Sequence, residues 1–236
     1  MIMKRLFYIL LCAASVSFVA SCAKVDHAQN QKVTYYPTLE LAGASLVKVE
    51  KGGTYTDPGY YAELKGVDVT DQVVVKDNID VNTSGVYTVS YTITNEDGFS
   101  AVANRTVVVL DPAIPAEGVY ATDPASYRLY NSAQVAYGKR FTVVVLSLGG
   151  DKYSVDDLLA GWYAQRAGYG SNYAMAGEIT IAGDGTITMD DSLVPGWGDS
   201  ATALTNGKFD AATKTISYDL EYTDYPFHFI VTMTQI

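Results

Sequence analysis

Cysteine is almost missing from these 236 residues: the two present, Cys12 and Cys22, both lie near the N-terminus. Beyond residue 22 no disulfide can form, and a thiolate zinc site or a cysteine nucleophile is excluded there. Histidine is equally scarce, with only His27 and His228. That is too few for a histidine zinc site, and it disfavours a histidine-based triad. There is no basic cluster, and 16 Lys and Arg face 26 Asp and Glu, for a formal charge of −10. Such a chain has no electrostatic footprint for nucleic acid. The apolar run at residues 6–19 is shorter than the roughly 20 residues a transmembrane helix needs. No phosphate-binding glycine loop is present, since Gly168-Tyr169-Gly170 neither follows a clear strand nor opens a clear helix. No cofactor is expected.

What the chain does have begins at its N-terminus. Lys4 and Arg5 precede the apolar run, which closes on Val19-Ala20-Ser21-Cys22. This layout resembles the signal peptide and lipobox of bacterial lipoproteins. The resemblance implies cleavage before Cys22 and acylation of that cysteine, with residues 1–21 as the signal. Losing Lys4 and Arg5 takes the net charge to −12. One acyl chain holds a protein only marginally, whereas several on one residue hold it almost permanently. Residues 22–34 are polar and aperiodic, and read as the lipidated cysteine and a flexible tether. A dozen extended residues reach roughly 40 Å. Surface lipoproteins of the Bacteroidetes often carry acidic residues just after the cysteine. Only Asp26 stands there, so this signal by itself does not set the membrane face.

Tyr, Val, Thr and Gly dominate the rest in short apolar runs, which points to strands. In residues 85–93, Tyr87, Val89, Tyr91 and Ile93 share one face, with Thr88, Ser90 and Thr92 on the other. That period of two predicts a half-buried antiparallel strand. Asn95-Glu96-Asp97-Gly98 supplies the turn, and Val107-Val108-Val109-Leu110 ends the returning strand. Tyr55-Thr56-Asp57-Pro58-Gly59, the segment around Ser84-Gly85-Val86-Tyr87, Asp97-Gly98 and Arg105-Thr106-Val107 together resemble the bacterial surface immunoglobulin-like domain. The resemblance covers residues 35–110 and implies a β-sandwich of about seven strands, serving as a spacer or adhesive module. Residues 111–117, with Pro112 and Pro115, read as a stiff linker.

Residues 118–236 read as a second all-β domain, an antiparallel β-sandwich or small barrel. Strands are expected at 141–148, on either side of Gly183-Asp184-Gly185, across a hairpin at 208–218, and at 227–234. Ser154, with Asp157 three residues on, predicts the start of a helical turn. Gly161-Trp162-Tyr163, Gly168-Tyr169-Gly170, Tyr173-Ala174 and Gly196-Trp197-Gly198 resemble the C-terminal domain of a two-domain Bacteroidetes lipoprotein family of unknown function. Its members tend to accompany outer-membrane glycan-uptake systems. The resemblance implies a lipid-anchored outer-membrane protein, at the cell surface rather than the periplasmic face. The implied partners are the membrane, a polysaccharide or oligosaccharide, and an uptake complex.

The candidate site lies at residues 160–200, which hold both tryptophans among glycines. Aromatic rings in such loops suit sugars, because a ring stacks on the C–H face of a pyranose while polar neighbours bond the hydroxyls. The candidate ligand-binding residues are Trp162, Tyr163, Arg166, Tyr169, Asn172, Tyr173 and Trp197, with Gln165, Asp190 and Asp191 as further polar candidates. A core role for Trp162, Tyr163 and Trp197 is the competing reading. Asp156-Asp157, Asp190-Asp191 and Glu221 are the carboxylates a glycosidase would need, but sequence adjacency does not set their separation. Neither Gly183-Asp184-Gly185 nor Asp190-Asp191 matches a calcium-binding EF-hand loop. The reading is a non-catalytic, glycan-binding or uptake-accessory lipoprotein. The alternatives are an adhesive surface protein and a polysaccharide-acting enzyme.

Overall fold

The computed structural model describes residues 32–222 and 226–236. The lipidation motif at Cys22 and most of the tether lie outside the described residues. Seven strands come first: β1 (Thr38–Leu41), β2 (Leu46–Glu50), β3 (Tyr60–Leu64), β4 (Val67–Asp68), β5 (Val74–Asp77), β6 (Gly85–Thr94) and β7 (Ser100–Leu110). They form two sheets, β1-β3-β4 and β2-β7-β6-β5. Strand β2 runs parallel to β7; the remaining pairs are antiparallel. Alternation decides the layers. On β6, Val89, Tyr91 and Ile93 are buried while Val86, Thr88 and Thr94 are exposed, as a period of two requires. Val49, Val89, Tyr91, Val107 and Val109 make the core, with Leu39, Leu41 and Tyr60 packed on it.

One charged side chain crosses this core. Arg105 is fully buried on β7. Its guanidinium donates to the carbonyls of Ala42 and Gly59 at 2.8 Å each, to that of Ala44, and through Nε to the Tyr91 hydroxyl at 3.2 Å. Asp57 lies 3.6 Å from Nε and accepts the Tyr91 hydroxyl at 2.7 Å. The arginine thus ties the connection between β1 and β2 to the residue that leads into β3. A buried cation persists only where its donors are met in this way.

The second half contains β8 (Gly118–Thr122), β9 (Tyr127–Tyr130), β10 (Ala133–Ala136), β11 (Thr142–Gly149), β12 (Lys152–Val155), β13 (Ala176–Ile181), β14 (Ile187–Leu193), β15 (Ala201–Asp210), β16 (Thr215–Tyr222) and β17 (Phe227–Gln235). One antiparallel sheet runs β10-β9-β17-β8-β11-β12-β13-β14, with β15 and β16 continuing from the other edge of β17. The sheet curls until its ends meet. Thr186 bridges Lys208, and Phe209 N–H donates to the Gly185 carbonyl at 2.7 Å, giving a half-open barrel. Ile216, Tyr218, Leu220 and Tyr222 on β16, and Phe229, Val231 and Met233 on β17, point into it. Burying one such large apolar side chain contributes roughly 1.5–3 kcal/mol.

The two halves share an apolar contact: Val108 of β7 with Val119 and Val144 of the barrel, edged by Leu46, Leu110 and Leu146. The connection at 111–117 is folded against the barrel. Glu117 is 2 % exposed, and its carboxylate accepts backbone N–H groups from Asp111 at 2.6 Å and Ser147 at 3.0 Å.

One local expectation is corrected. Ser154 does not cap a helix; it sits in β12, paired with Leu146 on one side and Glu178 on the other. Ladder hydrogen bonds on both edges outweigh the capping signal. The helical segment lies further on, as a π-helical turn at Trp162–Arg166.

Candidate functional site

After β12 the chain enters the barrel, and Asp157 organises the entry. Asp157 is 2 % exposed. Its Oδ1 accepts the backbone N–H groups of Leu159 at 2.9 Å and Met175 at 3.0 Å, and its Oδ2 that of Gly161 at 2.9 Å. The three carbonyls between are satisfied from the wall. Tyr218 donates to Leu158 at 2.8 Å, Tyr137 to Leu159 at 2.7 Å and Thr122 to Ala160 at 2.9 Å. Burial pushes both phenols well above their ordinary range, so they stay protonated donors. Burial also raises the Asp157 carboxyl to about 6, against the opposing effect of its backbone hydrogen bonds.

Gly161 is the pivot. Its φ of +87° is the left-handed region, and a Cβ there would meet the Phe141 Cβ at 2.4 Å. From it the π-helical turn rises to the barrel mouth, closed by bonds from Arg166 N–H to Gly161 and from Ala167 N–H to Trp162. Such turns are frequent at functional sites. Gln165 ties this turn to β11: its side-chain amide both accepts from Thr142 N–H at 3.0 Å and donates to the Thr142 carbonyl at 2.6 Å.

The aromatic residues then gather. Tyr163 meets Trp197 edge to face at 4.8 Å between centroids, and Tyr173 meets Trp197 at 4.9 Å. Tyr169 lies 5.6 Å from Tyr173 and 6.2 Å from Trp197. Tyr169 is 55 % and Trp197 41 % exposed. Trp197 is carried on a tight turn in which Val194 N–H donates to Asp199, and Trp197 and Gly198 N–H donate back to Val194. Val194 is fully buried and anchors the turn.

The structure therefore brings Tyr163, Tyr169, Tyr173 and Trp197 to one surface. It separates the others. Trp162 is 3 % exposed and belongs to the core, edge to face with Tyr137 and Phe229. Its position at the foot of the π-helical turn points it inward, so it supports the surface from below. Arg166 stacks on Trp162 at 4.3 Å and donates to the Tyr137 carbonyl at 3.2 Å, which commits it to the scaffold. Asn172 is exposed at the rim, and its carbonyl accepts Gly196 N–H at 2.7 Å. Asp190 is held on the barrel wall by Thr180 at 2.6 Å and Lys152 at 3.3 Å, and Asp191 pairs with Glu178 in the ladder. Asp184 accepts Thr186 N–H within its own turn. Among the described residues no group of three or more acidic, cysteine or histidine side chains is placed to hold a metal.

Three residues of the site were not legible in sequence. Tyr222, Phe227 and Asp199 line a hollow of about 330 Å³ together with Tyr163, Tyr169 and Trp197. The Tyr222 hydroxyl donates to Asp199 at 3.1 Å. Tyr222 and Phe227 are register partners at the ends of β16 and β17, which places both at the mouth. Phe227, which opens the strand expected at 227–234, was the available signal; Tyr222 lies beyond the expected hairpin at 208–218. Arg128 reinforces this edge, stacked between Trp162 at 4.8 Å and Phe227 at 4.7 Å, and donating to the Tyr163 hydroxyl at 3.4 Å.

Comparison with known proteins gives a consistent assignment. A model of bacterial surface protein, Ig-like domains matches residues 39–109, and a C-terminal-domain family model matches residues 110–235. Neither is an enzyme family. No curated protein matches the sequence. The crystal structure of the lipoprotein BT2262 from Bacteroides thetaiotaomicron is 40% identical, with a TM-score of 0.77 over 85% of this chain and 100% of that one. The CBM51-2 and INT domains of Clostridium perfringens ZmpB, in complex with GlcNAc, are 18% identical over 50% of this chain and 31% of that one, at a TM-score of 0.27. That likeness is too slight to bear on fold or ligand. With its immunoglobulin-like first half and its C-terminal β-domain, the chain belongs to the family of the Bacteroides lipoprotein BT2262.

Proposed function

We propose that this is a non-catalytic, lipid-anchored lipoprotein of the outer membrane, exposed at the cell surface, whose barrel mouth binds a glycan. The immunoglobulin-like sandwich serves as the spacer between the acylated Cys22 and the binding face, and the bound glycan is passed to an uptake complex. One observation carries the reading: Trp197 and Tyr169 stand exposed around a hollow whose described lining is aromatic apart from one carboxylate. Contiguous exposed aromatic surface on a soluble domain marks a binding site. Tyrosine and tryptophan offer both a flat apolar face and a polar edge, the combination a pyranose needs. The anchoring in this reading rests on acylation of Cys22.

The test is native affinity electrophoresis of the mature lipoprotein, in a sugar-free detergent, through gels containing plant, host or microbial polysaccharides. Retardation by one polysaccharide that is lost in Trp197→Ala supports the proposal. Unretarded migration through every gel would overturn it and direct attention to protein partners.

A further inference from the structure

The exposed aromatic surface is divided into two adjoining hollows. The first, of about 330 Å³, is lined by Tyr163, Tyr169, Trp197, Asp199, Tyr222 and Phe227. The second, of about 420 Å³, is lined by Tyr169, Tyr173 and Trp197. Tyr169 and Trp197 belong to both, so these two rings form the ridge between them. Each hollow is at the small end of the range for ligand sites, about 300–1,000 Å³. Two such hollows sharing a ridge match a ligand of repeated units better than one compact molecule.

The charge pattern is equally specific. Asp199 carries the single formal charge among the described lining residues of both hollows. Its carboxylate accepts from the Tyr222 hydroxyl, which leaves acceptor capacity toward the hollow. The two nearby guanidinium groups do not line either hollow. Arg128 is held between Trp162 and Phe227, and Arg166 lies on Trp162. A site with an acceptor and no facing cation bonds hydroxyl donors and repels carboxylate or sulfate groups, and the chain's net charge of −10 acts in the same sense.

We propose that the barrel mouth takes a neutral oligosaccharide of at least two sugar units, one in each hollow, laid across the Trp197 ridge with Asp199 accepting hydroxyl hydrogen bonds. This rests on the glycan-binding reading above and specifies its ligand.

The test uses the full mature lipoprotein in sugar-free detergent, titrated calorimetrically with glucose, xylose and mannose and their β-1,4-linked tetraoses, and with tetragalacturonate. At least one neutral tetraose binds tenfold or more tighter than its own monosaccharide, and tetragalacturonate binds at least tenfold more weakly than that tetraose. Tyr173→Ala, which opens only the second hollow, removes most of the chain-length gain and spares the monosaccharide. Asp199→Asn weakens the neutral tetraose and narrows the gap to tetragalacturonate. A monosaccharide as tight as its tetraose overturns the two-unit site, and tetragalacturonate matching the best neutral tetraose overturns the neutral selectivity; in both cases glycan binding itself survives. Absence of binding by every sugar in the set overturns this inference. Retardation by polysaccharide gels would then still decide the broader reading.

Discussion

Gly196 donates its backbone N–H to the Asn172 carbonyl at 2.7 Å, and that bond joins the turn carrying Trp197 to the one carrying Tyr173. The approach is too close for a side chain. A Cβ on Gly196 would meet the Tyr173 ring at 2.6 Å and the Asn172 oxygen at 2.9 Å. Gly196→Ala is therefore expected to part the two turns. Glycan retention falls at least tenfold while the melting temperature changes by only a few degrees. Unchanged retention in the affinity gel would show that this contact does not shape the face.

The two tryptophans separate cleanly by position. Trp197→Ala removes a half-exposed ring that packs on Tyr163 and Tyr173, and is expected to cost about 1–2 kcal/mol. Trp162→Ala empties a core position and costs about 3–5 kcal/mol. Urea unfolding of both variants reads this difference. Acrylamide should quench the wild-type fluorescence in two populations, and Trp197→Phe should leave the protected one alone.

Asp157 makes stability depend on pH in a definite direction. Its folded carboxyl titrates at about 6, against about 3.9 in an unfolded chain. The folded state holds the proton more tightly, so the contribution of this group is full below pH 4. It declines as pH rises from 4 to 6 and is lost above that, a span of about 3 kcal/mol. Exposed carboxylates such as Asp80, Asp184 and Asp210 act oppositely, since backbone hydrogen bonds lower their pKa values. The measurement is thus the difference between wild type and Asp157→Asn across pH 4–7. A difference independent of pH would refute the assignment. At neutral pH, Asp157→Ala leaves three buried N–H groups unpaired and costs at least about 3 kcal/mol.

Arg105 predicts the fragility of the first sandwich. Arg105→Ala strands the carbonyls of Ala42, Ala44 and Gly59 and the Asp57 carboxylate, and is expected to cost about 3–5 kcal/mol. Differential scanning calorimetry should show the loss, and a change under 1 kcal/mol would mean that the network contributes little.

Glu117 is expected to hold the connection between the halves. Glu117→Ala removes the acceptor of Asp111 N–H and Ser147 N–H from a buried position, at a cost of about 1–3 kcal/mol. Limited proteolysis should then cut within residues 111–117, where the wild type resists.

The strands were legible because their signal is local. On β6, alternation of Tyr87, Val89, Tyr91 and Ile93 with Val86, Thr88, Ser90 and Thr92 sets both the element and its buried face, whatever the rest of the chain does. The resemblance of the segment ending at Cys22 to a lipobox is likewise carried by contiguous residues. The all-β class and the clustering of aromatic residues at 160–200 follow from such patterns alone. What sequence could not divide was that cluster. Trp162 and Tyr163 are neighbours in the chain, yet one is buried and the other faces the hollow, because the left-handed residue Gly161 sets the direction in which the π-helical turn leaves the core. Tyr222, Phe227 and Asp199 reach Trp197 only through the register of β16 with β17 and the tight turn after β14. Those are long-range pairings, decided by how the sheet curls and closes, and only the tertiary structure determines them.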